Sequence, residues 1–384
     1  MARRRYCIGQ NMGICPRSNG KSTSKSIRRQ FLQPSYGRKV MNKRRFLACV
    51  GAAAFVACAA APAKAQEFKL TLSDQNPTTG WGSIHAMQPW IEKVEKATKG
   101  RVKIELYPSQ TISKGVDNWK AVRNGIVDIA WCFHGYWPDL NPLADVITLP
   151  SLPFKTAEKG SEVLWKLYQK FPAIQKEFSD VKPLMLWTSN PYILITTNKQ
   201  VKTLDDLKGM KIRVTGGPPT EQIKALGAVP TLIPMPDAYQ SLDKGVVDGM
   251  GAPWEAIHGF RLYEVVKYYT IMPLSAVYFS MSMNKKKWDS LPKDIQDAIM
   301  SVSGLEGSMF WGKNFFDTAK EGVLEAVKKG NYQMDVYVMP PDEVAKLTQV
   351  AGKPLWGEWV KRMESKGRPQ AGEILNTTLD LLKN

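Results

Sequence analysis

The chain runs to 384 residues and carries 53 Lys and Arg against 35 Asp and Glu, a formal charge of +18 that taken alone suggests a nucleic-acid or membrane partner. Residues 1–65 hold 14 of the basic residues and no acidic one, leaving 39 against 35 beyond them, so the excess is local and a nucleic-acid partner has no support. Cys7, Cys15, Cys49 and Cys58 fall in the same segment, and the single Cys132 that remains excludes an internal disulfide in the rest of the chain.

From Met41 the order is Met-Asn-Lys-Arg-Arg, an apolar stretch from Phe46 to Ala61, then Pro62-Ala-Lys-Ala65. That is the order of a signal peptide: a basic start, an apolar run too short to span a bilayer, and a small-x-small site. We expect residues 41–65 to direct export to the periplasm with cleavage before Gln66, and residues 1–40 to be an over-extended start. No later stretch of about 18 apolar residues reads as a membrane span. Residues 66–384 exceed what one core usually organises, which points to two lobes.

Phe68-Lys-Leu-Thr-Leu-Ser reads as a first strand, followed by the polar loop Asp74 to Trp81 and an amphipathic helix from about Ser83 to Thr98. Arg101 to Tyr107 alternates as a second strand, Val116 to Asn124 is helical, and Ile126 to Trp131 is a third strand. The order β-α-β-α-β predicts a mostly parallel sheet. A weak repeat supports a second such unit: Trp119-Lys-Ala-Val-Arg-Asn-Gly-Ile-Val-Asp128 matches Tyr239-Gln-Ser-Leu-Asp-Lys-Gly-Val-Val-Asp248, each read as helix, left-handed glycine, two buried β-branched residues and an aspartate. The strands after these repeats deliver Cys132, Phe133 and His134 to one side of a cleft and Gly251 to Trp254 to the other. Leu186 to Asn198 is a long apolar strand able to cross between lobes.

Thr203 to Ile257 is the most informative segment. Met210, Ile212 and Val214 alternate with Lys211, Arg213 and Thr215, so Arg213 faces away from the apolar side of a strand. Gly216-Gly-Pro-Pro ends that strand and opens a helix, which puts Arg213 near a strand's carboxyl end, where open α/β sheets bind ligands. A guanidinium there can hold a carboxylate through two parallel hydrogen bonds, whereas on a plain strand surface it would pair with a neighbouring acid.

Asp206-Leu-Lys-Gly-Met-Lys-Ile-Arg-Val, Leu226-Gly-Ala-Val-Pro, Gly245-Val-Val-Asp-Gly and Leu262-Tyr-Glu-Val-Val-Lys-Tyr-Tyr, with Gly100-Arg-Val-Lys-Ile-Glu-Leu-Tyr-Pro-Ser upstream and Trp288-Asp-Ser-Leu-Pro downstream, carry a resemblance across nearly everything after residue 66. The chain resembles the periplasmic solute-binding proteins of tripartite ATP-independent (TRAP) transporters, the DctP-like family. The resemblance implies a two-lobed α/β periplasmic binding protein fold, each lobe a mostly parallel sheet flanked by helices, with residues 66–190 plus 279–318 in lobe I and 191–278 plus 319–384 in lobe II. It places the return crossing at Ala276 to Asn284 and a long bridging helix at about Lys293 to Lys328, in which Gly304, Gly307 and Gly312 are consistent with a bend. Closure on ligand would be a hinge motion about these connections. It assigns Arg213 the substrate carboxylate, and it implies a monomer whose partners are a small and a large membrane subunit, with no cofactor.

Two positions depart from the sialic-acid branch of that family: Ala252 stands where an Asn precedes the Pro, and Ile193 aligns with a second Arg. Trp81, Trp131, Phe133, Trp137, Tyr192 and Trp254 make the expected cleft aromatic, although most aromatics at such positions are core. The expected ligand is a monocarboxylate with an apolar or aromatic body, with C4-dicarboxylates and 2-oxo acids as the runner-up. Arg213, Trp254, Phe133, Asn190, His134 and Trp81 are the candidate contacts, His134 and Asn190 as hydrogen-bonding groups. His85, His134 and His258 match no zinc spacing, Cys132 reads as a buried thiol, and Trp254-Glu255 gives only a weak case for a cation, so no metal is expected. The chain has no Gly-x-Ser-x-Gly elbow, no Walker loop and no His-Glu-x-x-His, so no enzyme activity is expected; a periplasmic hydrolase with a dispersed Ser/His/Asp site is the alternative class.

Overall fold

A computed structural model describes residues 67–383; the signal-peptide and start-site expectations lie outside them. The described residues build two sheets. The first has the order β2-β1-β3-β10-β4, from β1 (Phe68–Ser73), β2 (Val102–Tyr107), β3 (Ile129–Phe133), β4 (Val181–Thr188) and β10 (Tyr278–Asn284). The second has the order β11-β9-β5-β8-β6-β7, from β5 (Ile193–Thr196), β6 (Lys211–Val214), β7 (Val229–Leu232), β8 (Gly249–Ala252), β9 (Tyr268–Ile271) and β11 (Asp335–Val338).

Each sheet is parallel except for one strand. β10 runs antiparallel to β3 and β4, and β5 runs antiparallel to β8 and β9. These are the two strands at which the chain enters a new lobe, so the exception to the parallel rule marks each crossing. The crossings themselves are hydrogen-bonded to each other: Ser189 N donates to Val277 O at 2.9 Å, and Leu274 N donates to Tyr192 O at 3.1 Å. The single long strand expected over 186–198 is therefore broken at Ser189 to Tyr192, where the chain leaves one sheet for the other.

The repeat is structural. Its helices are Asn118–Arg123 and Ala238–Asp243, and Gly125 and Gly245 take φ of 75° and 66°, the left-handed region that favours glycine. Asp128 Oδ2 accepts from Thr71 N at 2.9 Å and Asp248 Oδ2 accepts from Lys211 N at 2.8 Å, so each aspartate ties its strand to a neighbour's backbone. Only the second β-branched residue is buried: Val127 and Val247 are covered, whereas Ile126 is 63 % and Val246 51 % exposed. Both strands begin later than expected, at Ile129 and Gly249, and the first β-branched position belongs to the turn.

The expected long bridging helix is four segments: Lys293–Ser301, Gly304–Trp311, a π-helical stretch Gly312–Asp317, and Ala319–Gly330. Gly304 at φ 59° interrupts the first turn-over, and a Cβ at Gly312 would lie 2.5 Å from Ala157 O, so the glycines mark a break and a close approach. Trp311 and Phe315 pack with the first sheet's Trp131 and Trp187, while Val323 and Val327 pack with Ile195 and Met250 of the second. The placement of 319–384 with the second lobe is corrected at its end. In the helices Lys353–Ser365 and Ala371–Lys383, Trp359, Met363, Ile374 and Leu382 share a core with Trp119, Val163 and Leu164 of the first lobe. An amphipathic helix in sequence shows that it needs cover; it does not say from which lobe.

Candidate functional site

Arg213 lies on β6 between β7 and β8, beside Thr231 and Met250. Its neighbours Ile212 and Val214 point into the second lobe's packing, and Arg213 points the other way; it is nonetheless only 2 % exposed, because the first lobe closes over that face. Its Nε donates to Ile233 O at 2.8 Å. Its Nη2 is buried and has no partner, and among the described residues it forms no ion pair. Burial draws its pKa down from the ordinary value, opposed by Tyr136 and Tyr192, but a guanidinium keeps its charge in proteins. A buried cation whose donors are unspent is costly unless an anion completes it.

Arg213 and Tyr192 line two adjoining cavities with about 320 and 300 Å³ of empty space, part of it open to solvent. The larger is walled by the first lobe's rings. Trp131 and Phe133 are two apart on β3 and so share a face, and Phe279 on β10 sits in register with Phe133. Phe279 packs 4.8 Å from Trp131, 5.0 Å from Phe133 and 5.3 Å from Phe316, forming one continuous aromatic surface. The smaller cavity is bounded by Gln222, Ile223, Leu274 and Ser275 of the second lobe and the crossing.

Two contacts close the rim across the lobes. Tyr136 donates to Gln75 Oε1 at 2.9 Å on its own side and accepts from Met235 N at 2.9 Å on the other. Gly216 N donates to Gly135 O at 2.8 Å, and a Cβ on Gly216 would lie 3.0 Å from that oxygen. The Gly216-Gly217 pair that ends β6 thus allows a backbone-to-backbone approach.

Opposite the aromatic wall the cavity is lined by Gln75, Asn76 and Glu255. Glu255 is 4 % exposed, and burial followed by the nearby Asp74 carboxyl pushes its pKa up to about 8. Asp74, fully buried behind the wall, is pushed up to about 7 by burial.

Of the expected contacts, Arg213 and Phe133 line the cavity, as do Trp131 and Tyr192 from the wider aromatic set. Trp254, Trp81, His134 and Asn190 line neither cavity. Trp254 opens the helix Trp254–Gly259, which turns its ring onto Tyr269 at 6.0 Å and 8° and leaves Pro253, Glu255 and Ala256 facing the cavity. Trp81 donates to Thr318 Oγ1 and packs 4.0 Å from His85. Trp137 is held by Val116 O. His134 is buried with both ring nitrogens engaged, Nδ1 with Asn141 Oδ1 at 2.8 Å and Nε2 with Ser280 Oγ at 2.9 Å, and it stacks on Tyr278. Burial lowers its pKa to about 3, so it is a neutral core group with nothing left to offer a ligand. Asn190 is half-buried between β4 and β5, with an unpartnered Oδ1. Ile193 and Ala252 face each other across β5 and β8 inside the second core, so the apolar character of the cavity comes from the first lobe's rings and not from these two positions.

Sequence reasoning missed Gln75 and Asn76, Tyr136, Phe279, Phe316 and the direct role of Glu255 in lining. Gln75 and Asn76 had a signal, since they follow the end of β1; Phe279 and Phe316 had none that is local. Cys132 is a buried thiol whose pKa burial raises, and among the described residues no group of three or more His, Cys, Asp or Glu could hold a metal ion. No described helix is long and apolar enough to cross a membrane.

Comparison with known proteins gives a consistent result. Residues 77–362 match the family model for bacterial extracellular solute-binding proteins, family 7, DctP. The outer membrane transporter protein TsaT of Comamonas testosteroni is 31 % identical over 335 residues, covering 85 % of this chain and 95 % of its own. Among solved structures, a TRAP solute-binding protein of Rhodoferax ferrireducens, in complex with copurified benzoate, superposes with a TM-score of 0.77 at 26 % identity, covering 82 % of this chain and 97 % of its own. A marine-metagenome TRAP solute-binding protein specific for aromatic acid ligands, in complex with 3-hydroxybenzoate, gives a TM-score of 0.76 at 28 % identity, covering 83 % of this chain and 98 % of its own.

Proposed function

We propose, from the premise that this chain belongs to family 7 of the bacterial extracellular solute-binding proteins, the DctP family, that it captures an aromatic monocarboxylate between its lobes and closes over it. The observation that carries the reading is the buried Arg213 with an unspent Nη2 in a cavity whose facing wall is Trp131, Phe133, Phe279 and Phe316. A carboxylate completes the guanidinium, and the ring behind it finds offset and edge contacts with the wall, which adds to simple area burial. The two solved structures described above hold benzoate and 3-hydroxybenzoate, which supports the same class here.

A second carboxylate on the ligand has no counterpart. Arg213 is the single cation among the described residues lining the two cavities, and Glu255 would repel an added negative charge if it were ionised. That argument sets monocarboxylates above C4-dicarboxylates. We also propose the remaining expectations of the family: export to the periplasm by residues 41–65, delivery of the ligand to a small and a large TRAP membrane subunit, and release of the ligand chemically unchanged.

Thermal denaturation against a library of aromatic monocarboxylates, C4-dicarboxylates, 2-oxo acids and sugar acids, with mass spectrometry of the ligand before and after incubation, tests the reading. A ligand that binds only the folded form raises the melting temperature by mass action. Aromatic monocarboxylates should give the largest shifts and be recovered intact; a larger shift with succinate or a sugar acid, or recovery of a product, overturns it.

A further inference from the structure

Glu255 is a carboxyl in the same cavity as Arg213 and not paired with it. It makes no ion pair and no hydrogen bond among the described residues, although it is 4 % exposed. Behind it, Asp74 spends Oδ1 on Asn76 N at 3.0 Å and Asn76 Nδ2 at 2.8 Å, while its Oδ2 is buried without a partner. Tyr192, Arg213 and Glu255 line the same cavity, so the cation and the carboxyl share one space.

A buried carboxyl beside a second carboxyl, with no cation of its own, takes up a proton. In that form it is one O–H donor with acceptor capacity to spare, the complement of a hydroxyl group. The facing wall is aromatic, and of the neutral amides beside Glu255, Gln75 already accepts from Tyr136 and Asn76 already donates to Asp74. We propose that Glu255 is a second polar contact that selects aromatic acids carrying a hydroxyl on the ring or beside it, the carboxylate being held by Arg213. This rests on the aromatic-monocarboxylate reading and narrows it. An unsubstituted ring would fill the same space but leave Glu255 buried and unsatisfied, and sites built to bond a hydroxyl reject the analogue that lacks it more strongly than apolar pockets reject an extra group. A bound cation is the competing occupant. The donor set argues against it, because Asp74 has already committed one oxygen to Asn76 and no third acidic or histidine ligand joins the pair.

Titration calorimetry of the full chain with benzoate and with 2-, 3- and 4-hydroxybenzoate, in sodium and in a sodium-free buffer, tests this with Glu255→Gln and Glu255→Leu. The wild type should bind at least one hydroxybenzoate on the order of tenfold or more tighter than benzoate, independently of sodium. Glu255→Gln keeps a neutral donor and an acceptor and should keep most of that preference. Glu255→Leu should abolish it, weakening the hydroxy acid while leaving benzoate equal or tighter, and benzoate binding doubles as proof that the variant is folded. No preference in the wild type, equal loss of both ligands in the leucine variant, or binding of either that requires sodium overturns the proposal. Binding of benzoate without preference spares the aromatic reading, whereas binding of neither class overturns both.

Discussion

The surroundings of His134 and of Arg213 are two buried polar regions on opposite sides of the same closure, and they differ in one respect. His134 has both nitrogens paired, to Asn141 and Ser280, inside a shell of rings from Trp119, Phe178 and Tyr278. Arg213 has one backbone partner and a buried Nη2 with none, facing a cavity. Burial is the same in both; satisfaction is not. A native protein rarely leaves a buried donor unpaired without a use for it. The difference therefore separates structural polarity from a site more sharply than residue type does, and a histidine, the more usual suspect, falls on the structural side.

The largest effect should come from removing the unsatisfied group. Truncating one partner of a buried, hydrogen-bonded charge pair typically costs about 2–5 kcal/mol, much of it from stranding the other charge. At about 1.4 kcal/mol per tenfold, Arg213→Ala should weaken aromatic carboxylate binding by roughly 30- to several-thousand-fold in calorimetric titration. Arg213→Lys should recover only part of that, since it keeps charge without the planar fork. Both should fold by circular dichroism. Near-wild-type affinity in the alanine variant would place the carboxylate elsewhere and dissolve the contrast with His134.

Arg213 was legible because two local signals coincide, period-two alternation and a Gly-Gly stop that fixes the strand's end. Phe133 was legible by the same strand-end argument applied to β3. Glu255 was missed in favour of Trp254 by a single residue: the strand-end argument reaches Pro253, but which side chain then faces the cleft depends on the phase at which the next helix starts. Phe279 and Phe316 were beyond reach, because they arrive from a return strand and a π-helical turn that only tertiary pairing brings beside β3. The fold followed the same pattern. Alternating β and α units were visible locally, whereas the antiparallel β5 and β10 and the return of the last two helices to the first lobe are facts of long-range packing.

Tyr136 should give an intermediate effect, since it joins the two regions. Its hydroxyl donates to Gln75 and accepts from Met235 N only when the lobes meet. Tyr136→Phe removes both bonds while keeping the ring against Phe133, and each bond contributes about 0.5–1.5 kcal/mol net. Only the Met235 bond crosses the lobes and is lost on opening, so ligand dissociation in stopped-flow should quicken by roughly 2- to 10-fold, with a smaller change in association. An unchanged dissociation rate would mean that the rim does not hold the closed form.

Acid and alkali should press on the two regions in opposite senses. Glu255 is raised from 4.5 to about 8 and Asp74 from 3.8 to about 7, so the stability of the ligand-free closed form is greatest when both are protonated and is lost as pH rises through those values. His134 is lowered from 6.5 to about 3, so its contribution is present above 6.5 and is lost as pH falls towards 3. Melting temperature should fall between about pH 4 and pH 8, with His134 opposing the fall below 6.5, and Glu255→Gln should flatten that limb while leaving the His134 contribution alone. A limb of unchanged slope in the variant would show that Glu255 opens to solvent without ligand.

The smallest effect on binding, and the other half of the contrast, belongs to His134. Replacing it with Phe keeps the ring stack on Tyr278 but strands Asn141 Oδ1, whose amide still donates to Glu177 O at 2.7 Å, while Ser280 retains Ser282 at 2.8 Å. One buried acceptor left unpaired costs about 1–3 kcal/mol, and in a chain of this size each kcal/mol moves the melting temperature by about 2–4 °C or less. The dissociation constant for an aromatic acid should stay within about twofold, because such a loss falls on both the open and the closed form and cancels in binding. His134 thus serves as the control for Arg213: a stability loss without an affinity loss on one side, an affinity loss without a stability loss on the other. A His134→Phe variant that stays fully stable yet loses ligand tenfold would invert that assignment and make the residue after Phe133 a contact after all.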